Sequence, residues 1–246
     1  MKAASHDQLT LLDLAACDAR LGQLAHRRGA LPEIAVLAEL AAEEKRLDGE
    51  RVEADTLAGD LRREVRRAEN EVELVRTRRE RDEKRLNSGA ITNPKDLSHL
   101  EHEMEALLRR IETLEDLELE VMDRLERAEA EHRRVVGELE AVRAKIAEAA
   151  AVRDAAFADL DASRAEVAAE RQALAERLPD ALVTLYEKVR GQYGSGAAPL
   201  RAKRCEGCRL ELNGADLREI VDAPVDEVLR CPECSRILVR TSGSGL

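Results

Sequence analysis

The chain is nearly without aromatic residues: it has no Trp, a single Phe157, and two tyrosines, Tyr186 and Tyr193, among 246 residues. With 37% charged residues beside that scarcity, an ordinary globule is excluded. No apolar run reaches the roughly eighteen residues that cross a bilayer, and the start lacks a leader's basic-then-apolar signature. The expectation is a cytoplasmic protein with no membrane partner. There is no glycine-rich phosphate loop, no nucleophile elbow and no acid pair off a solvated helix face. We therefore expect no enzyme and no small-molecule substrate. An excess of basic charge is also missing: 40 Lys and Arg face 51 Asp and Glu, a net charge of −11. That balance argues against a generally basic nucleic-acid binder.

Cysteine is scarce too, with five in all, but four of them are arranged. Cys205-Glu206-Gly207-Cys208 is followed, after twenty-two residues, by Cys231-Pro232-Glu233-Cys234. Each Cys-x-x-Cys turn aims two sulfurs at one point, and two such turns make the closed tetrahedron of a structural zinc. Gly207 relieves crowding in the first turn. The competing reading, redox dithiols or disulfides, would need an oxidising compartment that nothing else suggests. Cys17, in a helical pattern, reads as a small apolar residue. A closed site cannot activate water, so one Zn2+ ion is expected to staple a module too small to fold on its own core.

What fills the rest is Ala, Leu, Glu and Arg at helical spacing. Ser5-His6-Asp7-Gln8 reads as a capping box opening the first helix, and Gly29 and Pro32 predict an interruption. A 4-3 seam then runs through Leu40, Leu47, Ala54, Ala58, Leu61, Val65, Val72, Asp82 and Leu86. A second runs from Leu97 through Ile111, Leu125, Val135, Ile146, Leu160, Ser163, Val167 and Glu170 to Leu174. Between them, Gly89 can end one helix, while Asn93 and Pro94 can cap and open the next. Leu9 to Leu86 and Leu97 to Leu174 each span 77 positions (86 − 9 and 174 − 97). Equal arms about a tight turn predict an antiparallel hairpin about 115 Å long, at 1.5 Å per residue, rather than a parallel dimer that would waste the turn. The register pairs Leu61 with Val121 and places Arg51 level with His132.

The expected organisation is mainly α: residues 1–178 as the coiled-coil hairpin, with its turn at 87–95; 179–198 as a short helix closed by Gly191 and a flexible link over 192–198; and 199–246 as a small four-cysteine zinc ribbon. Within the ribbon, Ala215 to Val221 reads as a helix, Glu227 to Arg230 and Arg236 to Arg240 as strands, and Thr241 to Leu246 as disordered.

With both parts in place, the chain resembles bacterial C4-type zinc ribbon proteins with an N-terminal coiled-coil hairpin. The resemblance lies in the turn Gly89-Ala90-Ile91-Thr92-Asn93-Pro94-Lys95-Asp96-Leu97, both cysteine pairs, and Cys234-Ser235-Arg236-Ile237-Leu238. One departure is Ser235, where the family pattern usually has Gly; serine is tolerated there unless the position needs positive φ. The resemblance implies a non-enzymatic protein whose relatives are nucleic-acid binders, or adaptors for transcription and secretion components.

Two basic sets are candidates for contact. Arg201, Lys203 and Arg204 precede the first cysteine turn, with Arg209, Arg236 and Arg240 as further members, a set suited to phosphates of RNA or DNA. Yet residues 199–246 balance eight basic against eight acidic side chains and hold no aromatic ring on which a base could stack. At the hairpin tip, Arg76, Arg78, Arg79, Arg81, Lys84, Arg85 and Lys95 face three acids within residues 76–95, whereas residues 101–140 carry fourteen acids and six bases. The favoured account is pairing between the arms, and a docking site is the alternative. His99 and His102 are read as solvated rather than as metal ligands. Two functions stay open: a nucleic-acid-binding regulator, and an adaptor or chaperone that engages a protein through the arms.

Overall fold

Helix boundaries follow the breakers. A computed structural model describes all of residues 1–246, with α1 at Ser5–Gly29, α2 at Pro32–Asn87, α3 at Pro94–Glu176 and α4 at Asp180–Tyr193. The chain forms two compact units, one of Met1–Ile34 with Ala151–Leu246, the other of Ala35–Ala150.

In the second unit two helical arms run antiparallel about a turn. Gly89, at φ +68°, ends the first arm in the left-handed region. The Asn93 side chain accepts from the Lys95 amide at 3.1 Å, capping the helix that Pro94 opens. Leu47 packs with Val135, Leu139 and Val142, and Ala58 and Leu61 pack with Ala128, Val121 and Leu125, as the seam predicts. Charges flank it: Arg76–Glu115 at 2.5 Å, Arg62–Glu129 at 2.7 Å and Arg143–Glu44 at 2.8 Å link the arms, as does Arg78–Glu103. These exposed pairs contribute about 0–1 kcal/mol each, so the seam holds the arms and the charges fix its alignment. Arg51 turns to Asp48 of its own helix at 3.0 Å.

The first unit is built differently. Its ribbon has strands β1 (Ala197–Arg201), β2 (Arg204–Cys205), β3 (Leu229–Arg230) and β4 (Ile237–Arg240), plus helix α5 (Gly214–Asp222). The sheet order is β2-β1-β4-β3, with β1 and β4 parallel and the outer pairs antiparallel. Alternation along β1 and β4 gives the sheet two buried faces. Ala197, Ile237 and Val239 pack on Leu11 and Leu14 of α1, with Leu178, Leu182 and Tyr186. Ala198, Leu200 and Leu238 face the cysteines.

Several expectations are corrected here. No capping box forms: Ala4 caps α1 without a side-chain bond, and the buried Gln8 amide instead donates to the Ala3 and Val225 carbonyls at 2.9 and 3.3 Å. The first residues are held along 225–228, with Ala3 N–H donating to Asp226 at 2.8 Å and Val228 N–H to Met1 at 3.0 Å. Gly194, at φ +80°, closes α4 in place of Gly191. Residues 192–198 are no flexible link, because α4 runs to Tyr193 and Ala197 and Ala198 are buried in the sheet. Thr241 to Leu246 is ordered: Ser244 is buried, and its hydroxyl and that of Thr241 each donate to the Leu200 carbonyl at 3.0 Å. Ser163 and Glu170, placed in the seam by spacing, are exposed.

Candidate metal centre

Each cysteine pair sits in the same backbone turn. Cys205 N–H donates to Leu210 and receives, at its carbonyl, the Arg209 N–H; Cys231 does the same with Arg236 and Ser235. In both turns the residue after the second cysteine is left-handed, Arg209 at φ +63° and Ser235 at +59°. The position where serine replaces the expected glycine thus does require positive φ. The turns converge: Cys205 and Cys234 sulfurs lie 3.9 Å apart, as do those of Cys208 and Cys231, and all four lie within 4.8 Å of one another. A tetrahedron with zinc–sulfur bonds of about 2.3 Å has edges of about 3.8 Å. The donor set fits.

Burial pushes the Cys205 and Cys231 thiols up. Burial also acts on Cys234, but hydrogen bonds from the Arg236 backbone and side chain and from neighbouring thiols outweigh it and bring that thiol to about 7. The lowered Cys234 thiol is the natural entry point for a divalent cation, whose binding would displace the protons of its sulfur ligands. A Cβ on Gly207 would lie 2.8 Å from Arg236 Cδ and 2.9 Å from Ala198 Cβ, so this glycine makes room for the arginine that serves Cys234.

The basic candidates separate. Arg201, Lys203, Arg204 and Arg209 are all exposed. Ala202 and Lys203, at φ +44° and +63°, make the two-residue turn between β1 and β2 that projects Arg201 and Arg204 at the sheet edge. Arg236 and Arg240 instead donate to backbone carbonyls. Arg240 donates to the Ile220 and Ala223 carbonyls at 3.2 and 2.8 Å, closing α5 as a cation at a helix C-terminus does. Arg236 donates to the Tyr193 carbonyl at 2.6 Å. At the tip, Arg76 and Arg78 are spent on Glu115 and Glu103, and Arg85 lies 3.7 Å from Asp82. Arg81, Lys84 and Lys95 remain exposed and Arg79 half-buried; His99 and His102 are exposed.

Spacing gave no sign of a polar network in the first unit. Asp18, its side chain 5% exposed, accepts from the Tyr186 hydroxyl and from Arg171 Nε, both at 2.6 Å. Arg171 also meets Glu187, which Arg190 reaches at 2.8 Å. Asp18 lies in a helical stretch with nothing to mark it as buried.

A family model for the CT398-like coiled coil hairpin domain matches residues 14–194, and one for the C4-type zinc ribbon domain matches 204–238. The chain is 40% identical over 243 residues to the uncharacterized protein Rv2229c of Mycobacterium tuberculosis, covering 99% of each. A solved structure from Mycobacterium smegmatis superposes with a TM-score of 0.88 at 37% identity, over 98% of this chain and all of that one. CT398 from Chlamydia trachomatis shares the fold, with a TM-score of 0.69 at 18% identity over 96% of this chain and 98% of its own.

Proposed function

This chain belongs to the CT398-like coiled-coil hairpin family with a C4-type zinc ribbon, and from that premise we propose a non-enzymatic regulator that binds nucleic acid through the ribbon. One structural Zn2+, held by Cys205, Cys208, Cys231 and Cys234, sets the shape of the binding end. The observation that carries the reading is the set Arg201, Lys203, Arg204 and Arg209, exposed around the first cysteine turn while Arg76 and Arg78 are neutralised by acids of the facing arm. A few cations held by a rigid turn can bind phosphates locally even on an acidic chain.

The test is retention on immobilised RNA and DNA across a salt series. Two to four phosphate contacts give a shallow log–log slope, about −0.7 to −0.9 per contact. Arg201→Glu with Lys203→Glu and Arg204→Glu should abolish binding and leave zinc content intact. A wild-type chain that fails to bind at low salt defeats the proposal.

A second reading, a protein adaptor engaged through the arms, draws on Leu74 and Leu119, which are 74% and 62% exposed on the second unit. Leu74→Glu with Leu119→Glu should then lose a captured protein while RNA retention is unchanged.

A further inference from the structure

Residues 199–246 carry no ring for a base, yet the fold brings one in from α4. Tyr193 is the last residue of that helix and is 41% exposed. Its carbonyl accepts from Arg236 Nη2 at 2.6 Å, and the Arg236 guanidinium lies 5.8 Å from the centre of its ring. Arg236 in turn runs against Gly207 inside the first cysteine turn, the turn bounded by Arg204 and Arg209. An accessible ring, a planar cation and two unpaired arginines therefore share one end of the ribbon. Resting on the phosphate-binding reading above, we propose that Tyr193 is a stacking platform for an unpaired base, so that the ribbon binds single-stranded nucleic acid in preference to duplex.

The chemistry separates the two parts of the site. Arg204 and Arg209 hold phosphates whether a strand is paired or not, whereas a tyrosine face is available only to a base free of its own stack. Arg236 keeps the ring in place and adds a cation at its face. Glu206, exposed in the same turn, is a carboxylate beside the phosphate path and limits affinity.

Tyrosine emission gives a direct readout. There is no Trp, and of the two tyrosines Tyr186 is fully buried, so strand-dependent quenching reports Tyr193. The full zinc-loaded chain is titrated with a single-stranded RNA of about twelve nucleotides, within the usual site size, and with its duplex. Emission should be quenched by the single strand alone. Tyr193→Ala should weaken single-strand binding by roughly 5- to 150-fold, the value of about 1–3 kcal/mol per stacked base, with salt slope and zinc content unchanged. Tyr193→Phe should keep wild-type affinity, and Glu206→Gln should raise it. Equal binding of single strand and duplex, or a Tyr193→Ala chain within twofold of wild type, overturns the platform and leaves the phosphate reading standing. Absence of binding to either nucleic acid takes down both.

Discussion

The two units bury comparable leucines for different ends. In the second, Leu47 and Leu61 fill a seam that two helices alone can close. In the first, Leu11 and Leu14 lie under a sheet whose opposite face holds the cysteines. Helical spacing suffices to specify the former. The latter is a three-way core whose third partner is a ribbon with very short strands, too small to close a large core of its own, that gathers four cysteines on its far face. Leu11 and Leu14 of α1 and the cysteine cluster thus pack on opposite faces of β1 and β4, whereas Leu47 packs only with helix residues of its own unit.

Stripping the metal is the most severe way to break that contrast. Zinc contributes on the order of 10 kcal/mol to folding of small four-ligand modules. A chelator, or Cys231→Ser, should expose amides of residues 1–34 and 151–246 to hydrogen exchange, while those around Leu47, Leu61, Val135 and Leu139 stay protected. Uniform loss of protection in both units would refute the division. Next in size come truncations. Leu14→Ala and Leu47→Ala should each cost about 2–5 kcal/mol in denaturant unfolding, but only Leu14→Ala should weaken zinc in competition with a chelator. Equal zinc affinity in the two variants would mean the ribbon folds without the helices beneath it.

How much of this could be read beforehand follows the same line. The seam, the Gly89–Pro94 turn and the four-cysteine cluster were legible because each rests on local spacing. The pinning of Ala3 to Asp226, the burial of Ala197 and Ala198, and the ordering of Ser244 were not, because each depends on a partner far away in sequence. Ala197-Ala198 after Gly194-Ser195-Gly196 has the composition of a link, and only the sheet's need for small residues on both faces makes it a strand. Arg236 and Arg240 have the same charge as Arg201 and Arg204, and sequence cannot show that the Arg240 guanidinium is already taken by the carbonyls that end α5, or that Arg236 reaches the Tyr193 carbonyl.

The polar network offers a smaller, pH-resolved test. Burial raises the Glu187 carboxyl, but hydrogen bonds from Arg171 and Arg190 outweigh it and hold the group below its ordinary range. As pH falls, the unfolded chain takes up that proton first. The contribution of Glu187 is therefore whole above about pH 4.3 and drains away as pH drops through the lower folded value. Glu187→Gln should flatten the acid limb of the first unit's stability curve and leave the second unit's limb as it was. An unchanged acid limb would show the pair to be too solvated to matter.

The finest distinction lies inside the ribbon, between two turns of identical geometry. Arg209 and Ser235 both hold positive φ, at a cost of about 1–2 kcal/mol for a residue with a Cβ. Glycine would remove that strain but give back about 0.4–1 kcal/mol of unfolded-state entropy. Ser235→Gly should therefore stabilise the ribbon by roughly 0.5–1 kcal/mol, seen as slower zinc loss to a chelator, with RNA retention unchanged. Arg209→Gly should bring a similar gain but lower the salt slope by about one phosphate contact. The second turn lacks glycine without evident return, while the first retains an exposed arginine where strain could be relieved, as expected if that side chain is held out to meet a ligand. Should Arg209→Gly stabilise the ribbon and leave the slope untouched, Arg209 drops out of the contact set and the binding edge shrinks to Arg201, Lys203 and Arg204.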